Sequence, residues 1–214
     1  MRADVLEDLK RAVIAYEAGQ AASLAAKVVR EGIDPLEALD AITVAIREVG
    51  DGFNRGILWL PDLIRAAEAF KAALPVLTDE ITGRGARRES LGIVVIGTVY
   101  GDIHNIGKDM VATLLMADGF AVHDLGINVT VDQFIEAIRG QKADLLAMSA
   151  LLTMSSAEQK KVIETLKKEG LRDKVKVMVG GGAISQEFAD SIGADGYAAT
   201  APLATELARA LLPK

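Results

Sequence analysis

The residues best suited to take part in chemistry are an aspartate and a histidine in one short polar loop, Asp102 and His104. A carboxylate this close to an imidazole can fix the tautomer of the ring and raise its basicity as a metal ligand. The apolar run 93–96 precedes the loop and is typical of a fully buried strand. Because ligands of open α/β sheets bind beyond the carboxyl ends of the strands, this loop is the best candidate for a functional site.

Taken alone, the Asp-x-His pattern also fits a surface loop in which the aspartate caps a helix and the histidine is solvated. Zinc is a poor alternative, since it takes three or four protein ligands and the chain has no cysteine and two histidines, His104 and His123. A phosphate-binding loop is a poor alternative too, because residues 97–107 match neither common glycine-rich pattern.

The elements that must position this loop change in character along the chain. Up to about residue 80, apolar residues recur at helical spacing in four segments with short connections, which predicts an antiparallel four-helix bundle. Asp34 is the expected N-cap of the third helix, with Pro35 at its first position. Three glycines are expected to break the chain after that helix: Gly50, Gly52 and Gly56.

From residue 91 the pattern alternates between strands and helices. The predicted strands are 92–98, 120–125, 144–149, 175–179 and 196–199, and the predicted helices are 107–118, 131–140, 156–169, 185–192 and 202–212. Such alternation predicts a five-stranded parallel sheet of the flavodoxin-like or Rossmann-like α/β class. The chain thus divides into a helical bundle over 1–82, a linker over 83–90 and an α/β domain over 91–214.

Composition narrows the class of partner. The chain has 214 residues, 50% hydrophobic residues and a net charge of −6, and this acidic balance argues against nucleic acid. No apolar stretch approaches the roughly 18 residues of a membrane span, and the acidic N-terminus lacks the apolar core of a signal peptide. We therefore expect a soluble, cytoplasmic protein without a membrane partner.

Two further motifs, at fixed distances after the loop, help to identify its function. Forty-one residues, 108–148, separate Gly107 from Ser149-Ala150-Leu151, and three glycines follow at 180–182. Together these elements resemble the Asp-x-His-x-x-Gly, Ser-x-Leu, Gly-Gly signature of cobalamin-binding domains such as those of methionine synthase and the corrinoid proteins of methyltransferase systems. Residues 53–61 resemble the helical cap of the same proteins. The resemblance covers nearly the whole chain.

The resemblance implies specific roles for three side chains. His104 would replace the cofactor's own benzimidazole as the lower ligand of cobalt, Asp102 would accept a hydrogen bond from the other imidazole nitrogen, and Ser155 would continue this relay. For Ser155 an alternative stays open, namely an N-cap of the helix 156–169 that forms a capping box with Glu158.

The resemblance also implies two sets of cofactor contacts and a cover. The loop would contribute Gly101, Asp102, Ile103, His104, Asn105, Ile106 and Gly107. The slot for the benzimidazole tail would be lined by Ser149, Leu151, Thr153, Gly181, Gly182, Ala183 and Ala201. The glycines could instead form a flexible turn. Phe53 and Leu60 would shield the upper face of the corrin, whereas Trp59 is expected in the bundle core.

The implied function is that of a methyl carrier, without catalytic activity of its own. Cobalamin or a related corrinoid would alternate between cob(I)alamin and methylcobalamin. The implied partners are a substrate-specific methyltransferase, an acceptor methyltransferase that uses tetrahydrofolate or a thiol, and a reductive activase. Three alternatives stay open: a light-sensing regulator, a mutase cobalamin subunit, and a flavodoxin-like module without cobalamin. The sensor's cap has Glu-His where this chain has Ala69 and Phe70.

Overall fold

The structure, a computed structural model, describes residues 2–85 and 90–213. The chain divides into a helical unit before Ser90 and an α/β unit from Ser90 onward. Residues 86–89 of the predicted linker lie outside the described residues. None of the helices in the described part combines the length and the apolar character that a membrane crossing requires.

The helical unit contains the four predicted helices. They are α1 (Arg2–Ile14), α2 (Ala18–Arg30), α3 (Pro35–Asn54) and α4 (Leu60–Gly83). The start of α3 is as predicted, since the Asp34 carboxylate accepts a hydrogen bond from the Leu36 amide at 2.9 Å and Pro35 occupies the first turn. The apolar stripes of these helices form the core of the unit. Burial of these stripes supplies most of the stability of the helices.

The predicted break at the three glycines is wrong for two of them. Helix α3 continues through Gly50 and Gly52, and the chain turns at Gly56, whose φ is +71°. A Cβ added at Gly52 would lie 2.7 Å from Leu58 Cδ1. Gly52 therefore allows the chain that returns after the helix to pack closely on it.

The prediction that Trp59 belongs to the bundle core is also wrong, since Trp59 is 75% exposed. Trp59 is the N-cap of α4 and has extended backbone angles, so its side chain is not on the helical stripe that begins with Leu63. Its amide donates to Asp62 Oδ2 at 2.7 Å, which satisfies one of the free amides at the helix start.

The α/β unit has five parallel strands in the order β2-β1-β3-β4-β5. The strands are β1 (Ile93–Thr98), β2 (Ala121–Asp124), β3 (Leu145–Ser149), β4 (Lys176–Gly180) and β5 (Gly196–Tyr197). The helices are α5 (Ile106–Asp118), α6 (Val131–Gln141), α7 (Thr153–Lys168), α8 (Gln186–Ile192) and α9 (Ala201–Leu211). The predicted fold class is confirmed, and the strand order is that of the flavodoxin-like sheet.

Helices cover both faces of this sheet. Phe134 of α6 and Ile163 of α7 pack on the face that contains Val95, whereas Leu115 of α5 and Ala208 of α9 pack on the face that contains Val94. The strand order reverses beside β1, between β2 and β3. At such a point the connections leave in opposite directions and open a crevice at the carboxyl edge.

Candidate functional site

The loop with Asp102 and His104 lies between β1 and α5, at this crevice. The Asp102 amide donates to the Val99 carbonyl at 3.2 Å and closes a turn in which Gly101 has φ +79°. Glycine adopts this backbone region without the steric cost that other residues carry. The turn directs the chain after β1 back across the end of the sheet.

The Asp102 carboxylate is the centre of the loop. Its side chain is 0% exposed and accepts five hydrogen bonds from four residues. The donors are the His104 amide (3.0 Å), His104 Nδ1 (2.7 Å), the Leu151 amide (2.7 Å), the Leu152 amide (3.2 Å) and Ser155 Oγ (2.7 Å). Asp102 thereby joins the carboxyl end of β1 to that of β3.

Two opposing effects act on the charge of this group. Burial by itself would raise the pKa of the Asp102 carboxyl, because it disfavours the charged form. The hydrogen bonds from Ser155, from the amide and ring of His104 and from the Leu151 amide outweigh burial and hold this pKa well below its ordinary value. Asp102 is therefore a buried carboxylate anion at neutral pH.

This anion determines the state of the His104 ring. A carboxylate only accepts hydrogen bonds, so Nδ1, 2.7 Å from Asp102 Oδ1, carries the ring proton. In the neutral ring Nε2 then has the free electron pair that can bind a metal. The His104 side chain is 48% exposed, so the ring is accessible while its orientation is fixed from below.

The structure separates the two interpretations of Ser155. Helix α7 begins at Thr153 with Leu152 as its N-cap, so the capping prediction for Ser155 is wrong. Ser155 lies in the first turn instead, where its hydroxyl is 2.7 Å from Asp102 Oδ2 and 2.9 Å from the Leu152 carbonyl oxygen. The single hydroxyl proton goes to the carboxylate, which is the stronger acceptor.

A cavity of about 320 Å³ opens beside this loop, between the sheet and the helices α5 and α9. Seven of the residues predicted to contact a cofactor line it: His104, Gly107, Ser149, Leu151, Gly181, Gly182 and Ala201. Two predicted slot residues, Thr153 and Ala183, are not among the lining residues. Four other loop residues are exposed and do not line the cavity: Gly101, Ile103, Asn105 and Ile106.

The glycine run is closely packed rather than a loose turn. A Cβ added at Gly181 would lie 2.1 Å from the Ala150 carbonyl oxygen, and Gly181 has φ +115°. A Cβ at Gly182 would lie 2.7 Å from Leu151 Cδ1. These glycines bring the chain after β4 against the chain after β3 and leave room for a ligand on the other side.

Sequence reasoning missed part of the cavity wall. Tyr197 at the end of β5 lines it, as do Lys108 and residues 198–200, which connect β5 to α9. Ala198 and Ala199 were predicted within the strand 196–199, but β5 ends at Tyr197 and these small residues line the cavity. Lys108 gave no signal in the sequence, because burial of a lysine depends on partners that are distant in sequence.

Apolar side chains are also exposed at this edge of the sheet. Met154 is 92% exposed near the start of α7, whereas Met110 and Met148 are buried. The exposed Leu151 and Leu152 precede Met154, so this end of the sheet presents an apolar surface next to the His104 ring.

Fold and site together define a doubly wound protein that presents one imidazole nitrogen at a cavity lined by glycines, alanines and larger apolar side chains. Residues 92–206 match a family described as a B12 binding domain, and residues 5–78 match a second family with the same description. The chain belongs to the family of B12-binding corrinoid proteins, so its cofactor is a cobalamin or a related corrinoid.

Named relatives agree with this assignment. The chain is 40% identical over 210 residues to a trimethylamine corrinoid protein of Methanosarcina mazei (98% of this chain, 96% of the relative). It is 43% identical over 210 residues to the dimethylamine corrinoid protein of Methanosarcina barkeri (98% of each chain). Among solved structures, a chain of the methanol:cobalamin methyltransferase complex MtaBC of Methanosarcina barkeri matches with a TM-score of 0.83 and 27% identity (98% of this chain, 80% of that chain).

Proposed function

We propose that this chain is the corrinoid carrier of a methyltransferase system, with His104 as the lower ligand of cobalt in place of the cofactor's own base. The observation that carries the proposal is the His104 ring, whose Nδ1 is held by an ionised, buried Asp102 while Nε2 stays free at the mouth of the slot. A bound corrinoid supplies a cobalt centre that accepts a methyl group from one partner and releases it to another.

The residues of the chain would bind and tune this group. Negative charge on Asp102 strengthens electron donation from the imidazole, and Ser155 stabilises that charge with its hydroxyl. The cavity between the sheet and helices α5 and α9 would hold the displaced nucleotide tail. Its small wall residues, including Gly181 and Ala201, let a flat group approach the backbone closely.

The relatives support the kind of system. Their names refer to trimethylamine and dimethylamine, and the solved complex joins a corrinoid chain to a methanol methyltransferase. We infer that one partner is a methyltransferase specific for a small methylated substrate. A second methyltransferase would pass the methyl group to tetrahydrofolate or a thiol, and a reductive activase would restore the cofactor.

The proposal gives the helical unit a protective role. Phe53 is half-buried and Leu60 is 44% exposed, and between them Ile57 and Trp59 are 64% and 75% exposed. Exposed apolar side chains around the connection between α3 and α4 are suited to covering an apolar ligand and excluding water from it. We propose that Phe53 and Leu60 cover the upper face of the corrin.

The test of the ligand assignment is the visible spectrum of the cobalamin-loaded protein. The chain as it stands should give the spectrum of cobalamin bound through a histidine. His104→Ala should lose this signature completely while still binding the cofactor through the tail. His123→Ala is the matched control, because His123 is half-buried on β2 and should leave the spectrum unchanged. Equal spectra for His104→Ala and the unchanged chain would refute the assignment.

A second measurement separates the carrier from a light sensor. Photolysis of bound adenosylcobalamin should leave the oligomeric state of a carrier unchanged in size-exclusion chromatography. A clear change of state on illumination would favour the sensor instead.

A further inference from the structure

The loop that carries His104 is held from the side by the connection between β2 and α6, residues 125–130. Asn128 makes two hydrogen bonds to it. Its side-chain Oδ1 accepts from the Gly101 amide at 2.8 Å, and its own amide donates to the Asp102 carbonyl at 3.0 Å. One residue thus binds both the Gly101 amide and the Asp102 carbonyl, at the start of the Asp-x-His motif.

The backbone of Asn128 is unusual. Its φ is +55°, and among the described non-glycine residues only Tyr16 and Lys142 also have positive φ. Asparagine tolerates this left-handed region better than most residues, yet the conformation still needs compensating contacts. Asn128 is exposed, so burial does not supply them. The two hydrogen bonds to Gly101 and Asp102 do.

The connection itself is anchored firmly. Gly126 and Val129 exchange backbone hydrogen bonds with Thr98 at the end of β1, at 3.0 and 2.9 Å. Lys108, which is 3% exposed, places Nζ 2.5 Å from Asp124 Oδ2 and so ties the first turn of α5 to the end of β2. Asn128 therefore links the His104 loop to a connection that is itself fixed to the sheet by hydrogen bonds.

We propose that Asn128 is a positioning residue that orders the His104 loop in its ligating conformation before the cofactor binds. This inference rests on the proposed function of His104. An ordered loop removes part of the entropy cost of ligation, since the ring need not be fixed at the moment of binding. Loss of the side-chain hydrogen bond should therefore weaken histidine ligation without emptying the slot for the tail.

The test compares three variants of the cobalamin-loaded chain. Asn128→Gly keeps the left-handed backbone accessible and removes the acceptor, whereas Asn128→Asp retains an acceptor oxygen. Lys142→Gly is the control, because Lys142 has φ +53° at the C-terminal end of α6 and its replacement changes backbone freedom as much as Asn128→Gly does. The readout is the ratio of histidine-bound to histidine-free cofactor in visible spectra over a temperature series.

We expect this ratio to fall about five-fold in Asn128→Gly, as for the loss of one hydrogen bond, and to stay within about two-fold of the unchanged chain in the other two variants. An unchanged ratio in Asn128→Gly, or an equal fall in Lys142→Gly or Asn128→Asp, would overturn the role of the Asn128 side chain. Failure of the proposed function looks different, since the unchanged chain itself would then lack the histidine-bound spectrum.

Discussion

The two units of this chain distribute polar and apolar groups in opposite ways. In the α/β unit, three buried side chains with polar or charged groups lie at the site, namely Asp102, Lys108 and Ser155. In the described part of the helical unit, Thr43 is the one buried polar side chain, and the notable surface feature is the apolar group around Trp59.

This difference follows from what each unit would do. A metal ligand must be held at one position and in one tautomer, which requires directional hydrogen bonds in a dry environment. A cover needs only apolar area, which is not directional. Substitutions of the closely packed and buried residues at the site in the α/β unit should therefore change stability and ligation strongly, and those on the helical surface should change neither.

The largest effect is expected at the glycine run. Gly181→Ala should lower the free energy of unfolding by about 4 kcal/mol and abolish cobalamin binding, because a Cβ there would meet the Ala150 carbonyl in a strained backbone. Gly140→Ala, within α6 and with no neighbour within 4 Å of the added atom, should instead be neutral or slightly stabilising. Urea unfolding and cofactor titration measure both, and similar losses in the two variants would contradict the packing argument.

The next effect concerns the charge of Asp102. Asp102→Asn should lower the free energy of unfolding by about 3 kcal/mol at pH 7, since an amide cannot accept all the hydrogen bonds that the carboxylate accepts.

Because the pKa of Asp102 is lowered in the folded state, its stabilisation is complete above the ordinary carboxyl value and is lost as the pH falls toward the lower, folded value. The stability gap between the chain and the Asp102→Asn variant should thus narrow below about pH 4. A gap that stays constant from pH 7 to pH 3 in urea unfolding would argue against an ionised Asp102.

A smaller effect separates two adjacent buried serines. Ser155→Ala removes a donor to the carboxylate and should cost about 1.5 kcal/mol of unfolding free energy and raise the pKa of Asp102. Ser156 donates to the Thr153 carbonyl and does not contact Asp102, so Ser156→Ala should cost less and leave the pH dependence of stability unchanged. Identical pH profiles for the two variants would remove Ser155 from the relay.

The smallest effect is expected on the helical surface. Trp59→Ala should change the free energy of unfolding by no more than about 0.5 kcal/mol, because the side chain is 75% exposed. If Phe53 and Leu60 cover the cofactor as proposed, Leu60→Ala should accelerate oxidation of the reduced cofactor while leaving the histidine-bound spectrum unchanged. A stability loss from Trp59→Ala as large as that from Ser155→Ala would remove the contrast between the units.

Much of the fold could be predicted because its signals are local. The apolar run of β1, the alternation of strands and helices from residue 91 and the Asp34-Pro35 helix start each depend on neighbouring residues, and the structure confirms them. The errors arose where a local signal admitted two structures. Ser155 followed by Glu158 satisfies a capping pattern, but α7 begins at Thr153, two residues before Ser155, and the Ser155 hydroxyl donates to Asp102 instead.

The amino-acid sequence alone predicts the class of sheet, the position of the His104 loop at its edge and membership of a cobalamin-binding family. Hydrophobic periodicity and motif spacing can be read directly from the order of the residues. The Leu151 and Leu152 amides that donate to Asp102, the burial of Lys108 and the hydrogen bond from the Gly101 amide to Asn128 could not be derived that way. These contacts join residues that lie up to 50 positions apart, and such pairs acquire an energy only when folding brings them within hydrogen-bond distance and removes the water between them.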